Sequence, residues 1–219
     1  MAARHVRTLV LACLMASGAA QAEGFALGIK AGTLGVGPEV TYAFSERFSV
    51  RLGVNNITYG FTTTTSGVRY DADLDLVNTT LLLDWHPFRG LFHVTTGFIR
   101  NGNVLRLTAT PTQAEEIGGI TFQPEQIGTL VGEASFDRNA PYLGIGWGNG
   151  AQEPGLEVHL ELGAMFQGSA GVSLRSRGGE FAGNPVLEEA LRREERELEE
   201  DLRDFRLYPV ISFGLSYSF

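Results

Sequence analysis

The sequence predicts an all-β fold: an eight-stranded, antiparallel, up-and-down transmembrane β-barrel with one helix, at about 185–204, in an extracellular loop. Three observations predict it. The chain opens with a secretory signal, its remaining length falls into eight segments of apolar/polar alternation, and the links between those segments alternate short and long. Successive side chains of a strand point to opposite faces, so alternation gives each segment one greasy face. In lipid every backbone N–H and C=O must be paired, and closing a sheet with an even number of antiparallel strands achieves this.

The signal comes first. Arg4 and Arg7 precede the apolar run TLVLACLMA, and small residues then lead to Ala20-Gln21-Ala22. This is the charged, apolar and A-x-A pattern of a cleaved secretory peptide. Residues 1–22 are therefore expected to be removed, leaving 23–219 as one barrel domain. Lipoprotein processing at Cys13 would leave an apolar run too short to serve. Cleavage removes the single cysteine, so no disulfide or thiol chemistry is expected. The formal charge of −8 becomes more negative by two when Arg4 and Arg7 leave, which argues against nucleic acid as a partner.

The eight segments are 24–34, 36–44, 47–63, 70–86, 90–110, 130–148, 155–177 and 205–219. The last shows the pattern most plainly: Ile211, Phe213, Leu215, Tyr217 and Phe219 alternate with Ser212, Gly214, Ser216 and Ser218. In 156–167, Leu156, Val158, Leu160 and Leu162 alternate with Glu157, His159, Glu161 and Gly163. A secreted soluble barrel also alternates, but its outer face would be charged; here the non-apolar face is mostly Gly, Ser and Thr, which suits a narrow lumen. The links at Ser45-Glu46, 86–90 and 149–154 are short, as periplasmic turns are, and those at 64–69, 111–129 and 178–204 are long, as extracellular loops are. The first link, Gly35-Val36-Gly37, is the exception. Both termini are then periplasmic. Phe25, Tyr42, Phe44, Phe48, Trp85, Phe88, Phe92, Trp147, Tyr217 and Phe219 cluster at the periplasmic ends as an interfacial girdle, and Tyr59, Phe61, Tyr70, Phe136, Phe166 and Tyr208 are candidates for the outer one.

Several middle strands exceed the length needed to cross a bilayer, and their apolar parity changes partway. It is even at Leu74 and Leu76 and odd from Val77, even at Ala134 and Phe136 and odd at Leu143. One-residue bulges would flip the faces in this way, and they are expected near Asn55-Asn56, Asn101-Gly102-Asn103 and Asn139.

The closing residues Ser212, Gly214, Tyr217 and Phe219 carry a resemblance. They match the C-terminal assembly signal of small outer-membrane barrels, and the mature chain as a whole resembles the OmpA/OmpX-like membrane domain. KAGTLGVGPEV, LLLDWHPF, APYLGIGWGN and FRLYPVISFGLSYSF are similar to a further group of that class. The resemblance implies a porin-like cell-envelope protein of a Gram-negative outer membrane, handled by periplasmic chaperones and the barrel-assembly machinery. It implies no activity.

Lys30, Glu39, Arg51, Asp84, Glu157, His159, Glu161 and Arg206 fall on the lumen parity. An eight-stranded barrel is just wide enough for side chains to fill, and buried charges must pair or neutralise. The bland reading is a salt-bridged plug; the sharper one is a narrow conduit. His159 between Glu157 and Glu161 invites a metal reading, but the other ligands do not converge, so no metal or cofactor is expected. Lipid A-modifying barrels need a His–Ser pair; His86, His93 and His159 are not followed by the deacylase's His-x-Ser spacing, so no catalytic residue is expected.

Loop four holds the helix. Asn184 is a cap, Pro185 a first helical residue, and VLEEALRREERELEEDLRDF is rich in helix formers. Leu187, Ala190, Leu191, Leu198, Leu202 and Phe205 trace one stripe, and Glu188/Arg192 and Glu199/Arg203 are favourable i,i+4 pairs. The function expected is structural or interactive at the cell surface, by a monomer in contact with lipid and lipopolysaccharide and with a possible extracellular partner at this helix. The alternatives are a narrow or lateral channel gated by the loops, and a lipid A-modifying enzyme.

Overall fold

The computed structural model describes residues 24–65 and 68–219. The segment expected to be a signal peptide, 1–22, and the tip of the 64–69 loop lie outside the described residues. Eight strands close into a ring: β1 (Phe25–Gly32), β2 (Gly35–Ser45), β3 (Phe48–Thr65), β4 (Val68–Trp85), β5 (Phe92–Asn101), β10 (Asn139–Trp147), β11 (Gly155–Phe166) and β13 (Leu207–Ser218). Every neighbouring pair is antiparallel, and β1 shuts the ring on β13 with Ala26 opposite Ser218 and Gly32 opposite Ser212. The ring is the architecture the alternation predicts. The first link differs in detail: the turn is Thr33-Leu34, and Gly35 to Gly37 already belong to β2.

Beyond the ring the wall continues as a projecting sheet. The upper halves of β3 and β4 carry β6 (Val104–Pro111), β9 (Gly128–Ser135) and β12 (Gly171–Gly178) in that order. A short hairpin, β7 (Glu115–Ile117) with β8 (Ile120–Phe122), and one helical turn, α1 (Pro124–Ile127), lie between β6 and β9. Helix α2 (Pro185–Asp201) and a 3-10 segment (Leu202–Arg206) lead into β13.

The change of apolar parity has a different cause from the expected bulges. β3 and β4 pair without interruption from Phe48↔Trp85 to Thr65↔Val68. The pairing of β4 keeps one register across Asn101-Gly102-Asn103, and so does the pairing of β5 and β6 with β10 and β9. What switches is the side that is greasy. In the ring, odd residues of β4 such as Leu81 and Leu83 face outward. Higher up, even residues such as Ala72, Leu74 and Leu76 face inward and the outward residues are Asp71, Asp73 and Asp75. An apolar exterior suits lipid, whereas an apolar interior suits water outside. The strand stays regular and the solvent changes. A true offset lies elsewhere: Tyr142 is opposite Met165 but Ser135 is opposite Gly171, seven residues on one side against six on the other. The kink is at 167–170, with Gly168 at φ 72°.

The ring's outer surface is a belt of exposed apolar side chains, among them Ile29, Leu52, Leu81, Phe98, Leu143, Val158 and Phe213. At the short-turn end, aromatic contacts run through Phe25–Tyr42, Phe44–Phe48, Phe88–Phe92–Trp147 and Tyr217–Phe219. The opposite girdle is thinner than expected. Tyr59, Phe61, Tyr70 and Tyr208 share the inward parity, leaving Phe136 and Phe166 of that set near the outer surface.

Helix α2 starts where Asn184 accepts a hydrogen bond from Val186 N at 2.9 Å. Leu187, Ala190 and Leu191 are buried with Ile117, Phe122 and Ile127, against Leu130, Leu174 and Phe181. The second half of the stripe differs: Leu198 and Leu202 are half-buried and Phe205 is 59% exposed. Arg192 lies 3.9 Å from Glu188 and 3.1 Å from Glu189, while Arg203 pairs with Glu200 and not Glu199. Glu199 is used elsewhere. Leu174 N and Val172 N, on the free edge of β12, donate to Glu195 at 2.6 Å and Glu199 at 3.0 Å. The helix thus covers an open sheet edge, a surface prone to pair with other chains. Glu195→Ala with Glu199→Ala is expected to speed amide exchange at Val172 and Leu174 by about fivefold, for about 1 kcal/mol per lost bond. Hydrogen-exchange mass spectrometry would show it.

The closed lumen as candidate functional site

The strand register sets where each charge can go. Lys30 sits between Gly37 and Gly214, and Glu161 between Gly146 and Ser212. Asp84 sits between Ser49 and Thr95. Small neighbours leave room for a long side chain to lie across the barrel. Lys30, Glu39, Arg51, Asp84, Glu157, His159 and Glu161 are all buried there. Arg206 is not among them: it ends the exposed 3-10 segment ahead of β13. Its even parity would place it in the lumen only if the strand began one residue earlier than it does.

Arg51 is the hub. Its Nε and Nη2 donate to Asp84 Oδ2 and Oδ1 at 2.6 and 2.9 Å, a two-toothed contact. Its Nη1 donates to Glu161 Oε2 at 2.7 Å and lies 3.5 Å from Glu39 Oε1. Thr95 Oγ1 donates to Asp84 Oδ1 at 2.7 Å, Lys30 donates to Glu39, and His159 Nε2 stands 3.5 Å from Glu39. One guanidinium therefore ties β2, β3, β4 and β11 together through the middle of the ring.

Towards the short-turn end, the loop after β10 folds under this cluster. Gly150 N donates to Glu157 Oε1 at 3.0 Å, and Ala151 is 3% exposed. His86 and His93 lie with ring centroids 5.0 Å apart and planes tilted by 48°, their Nδ1 atoms facing Gly90 O and Leu91 O. The space left among Thr41, Arg51, His93, Glu157 and His159 is about 10 Å³, the room of one water at most.

On the other side lies an apolar layer that the sequence reading missed. Leu34, Leu82, Ile99, Ala140, Tyr142, Met165 and Val210 fill the lumen in one cluster, with Tyr208 against it. These residues interrupt the polar parity of their strands only one or two at a time, and Leu34 lies in a turn, so each looks like noise. Only the register, which sets Tyr142 opposite Met165 and Met165 opposite Tyr208, brings them to one height. Asparagines follow: Asn78 Nδ2 donates to Leu34 O at 2.9 Å and to Asn103 Oδ1 at 2.8 Å.

Two glycines are required by this packing. A Cβ at Gly163 would overlap the Tyr142 phenol, and one at Gly214 would overlap the His159 ring. Gly214 thus has a packing reason to be glycine besides any part in an assembly signal. Of the other residues of that signal, Ser212 is buried in the lumen, Tyr217 is 53% exposed on the outer wall, and Phe219 N donates to Phe25 O at 3.0 Å.

Among the described residues, no group of three or more His, Cys, Asp or Glu side chains is placed to hold a metal ion. No serine or threonine hydroxyl hydrogen-bonds an imidazole among the contacts of His86, His93 and His159.

An eight-stranded antiparallel ring, apolar outside and charged inside, is the architecture of transmembrane β-barrels. The solved structures that share it include CarO of Acinetobacter baumannii. That crystal structure superposes with a TM-score of 0.59 at 23% identity, covering 90% of this chain and 98% of CarO. CarO2 of the same organism gives a TM-score of 0.59 at 22% identity, covering 89% and 98%. At these identities the likeness establishes a common fold. It supports the barrel class and not the OmpA/OmpX-like domain as the specific family. No protein-family model matches the chain, nor does any curated protein.

Proposed function

We propose that the chain is an integral protein of a Gram-negative outer membrane, with the short-turn end in the periplasm and the projecting sheet outside. Its barrel is a closed anchor, and its role is structural or interactive at the cell surface. The reading is non-catalytic and monomeric. One observation carries it: the lumen is filled in successive layers, with Arg51 bonded to carboxylates from opposite walls and an apolar layer above. A water path would have to break both. The described part that faces outward is the projection, whose inward side keeps Tyr59 54% and Phe61 59% exposed beyond the reach of the α2 cluster. That face and α2 are the surfaces a partner would meet.

Single-channel recording of the refolded mature protein tests this, with and without residues 184–204. Silence in both is expected. Conductance in the intact protein would overturn the closed-anchor reading. Conductance on deletion alone would make the helix a gate and put a solute route in its place.

A further inference from the structure

The outer wall has a groove of about 340 Å³ where β5 passes into β6 and β9 into β10. Gly102 leaves its floor open, Val77 and Phe136 line its apolar side, and Arg100 and Arg138 stand at its rim. Both arginines are exposed, and among the described residues neither side chain has an ion pair or hydrogen bond. Glu133 also lines the groove, but Arg106 already holds it at 3.3 Å. Arg106 in turn pairs with Asp75, whose carboxyl is held below its usual range by the Thr58 hydroxyl and then by Arg106 itself. Two positive charges are therefore unmatched on a chain whose formal charge is −8.

Their height decides what they meet. Along β5 the outward residue before Arg100 is Phe98, 63% exposed and opposite Pro141, and one outward step lower on β10 stands Leu143, 54% exposed and opposite Thr96. Phe98 and Leu143 are the highest large apolar side chains on the outer face of these two strands. Arg100 is one outward step above Phe98, where acyl chains would end and headgroups begin.

We propose that Arg100 and Arg138 bind a phosphate of the phosphorylated glycolipid of the outer leaflet, its acyl chains lying on Phe98 and Leu143. Guanidinium suits this ligand because its planar fork can donate two parallel hydrogen bonds to one phosphate. The proposal rests on the outer-membrane reading above and names the lipid that this part of the wall selects.

The test uses mature protein folded into vesicles, then native mass spectrometry of the released protein offered bisphosphorylated lipid A, fully dephosphorylated lipid A or inorganic phosphate. Wild type is expected to retain the bisphosphorylated lipid and not the dephosphorylated one. Arg100→Gln with Arg138→Gln should weaken retention about tenfold or more, given the strength of charged hydrogen bonds. Arg175→Gln with Arg177→Gln, an equal charge change outside the groove, should leave it unchanged, and millimolar phosphate should not displace the lipid. Equal retention by the groove variant, equal loss by the control variant, or displacement by phosphate would each overturn the site. Failure of wild type to insert into vesicles at all would overturn the outer-membrane reading and the site with it. Normal insertion with unchanged lipid retention in the groove variant would sink the site alone.

Discussion

Arg51→Leu is expected to destabilise the folded barrel by about 3–5 kcal/mol, the usual consequence of deleting one partner of a buried ion cluster. Arg51 is 5% exposed and contacts three carboxylates. Without it, Glu39 keeps Lys30, while Asp84 keeps Thr95 and Ser49, which are neutral donors. Glu161 loses the one partner it has within salt-bridge distance among the described residues. Leucine fills much of the volume, so the cost is electrostatic and not a cavity. Arg51→Lys is expected to fall between the two, because a single ammonium cannot reproduce the fork on Asp84 together with the bond to Glu161. Urea titration in detergent or vesicles, followed by the gel shift between folded and unfolded barrel, measures both. A loss below about 1 kcal/mol for Arg51→Leu would mean that water takes the place of the guanidinium. A lumen that admits water so readily would not be a plug, and the channel alternative would gain.

The same cluster shows how far a sequence can be read here. Period-two alternation places Lys30, Glu39, Arg51, Asp84, Glu157, His159 and Glu161 on one side of their strands, and the ring gathers them because a closed barrel has only one inside. Alternation says which residues share a face; it does not say which face is wet. That is why the switch at Leu76 and Val77 reads as a bulge in the sequence and is a regular strand in the structure. Arg206 fails for another reason: parity has meaning only inside a strand, and the 3-10 segment delays β13 to Leu207. The apolar layer around Tyr142 and Met165 was hidden because it depends on register between strands far apart in sequence. No local pattern encodes that stagger. The helix was legible at its start, where Asn184 and Pro185 act locally. Its second half was not, because whether Leu198 and Phe205 are covered depends on where the sheet ends.

The division between anchor and projection leads to the second large effect. Leu187→Asp with Leu191→Asp is expected to unseat α2 while leaving the ring intact. Both leucines are buried, at 0% and 5% exposure, in a cluster that shares no residue with the one filling the lumen. Placing two carboxylates there costs several kcal/mol, and the helix has no comparable anchor, since Leu198 and Leu202 are only half-buried. Seventeen residues of undocked helix are marginal in water, so the segment should open to protease. A loss of about 3 kcal/mol of docking energy corresponds to cleavage within 179–206 more than a hundredfold faster, if opening equilibrates ahead of cutting. The gel-shift stability of the ring should move by less than about 1 kcal/mol, because well-separated sites act nearly independently. If the ring unfolds as well, projection and barrel are one cooperative unit and the helix is structural. If the helix opens and the ring holds, the surface it leaves, with Ile117, Phe122 and Leu174 uncovered, is where a partner for this protein would be sought. The Glu195 and Glu199 bonds to β12 would then be the contacts that such a partner has to replace.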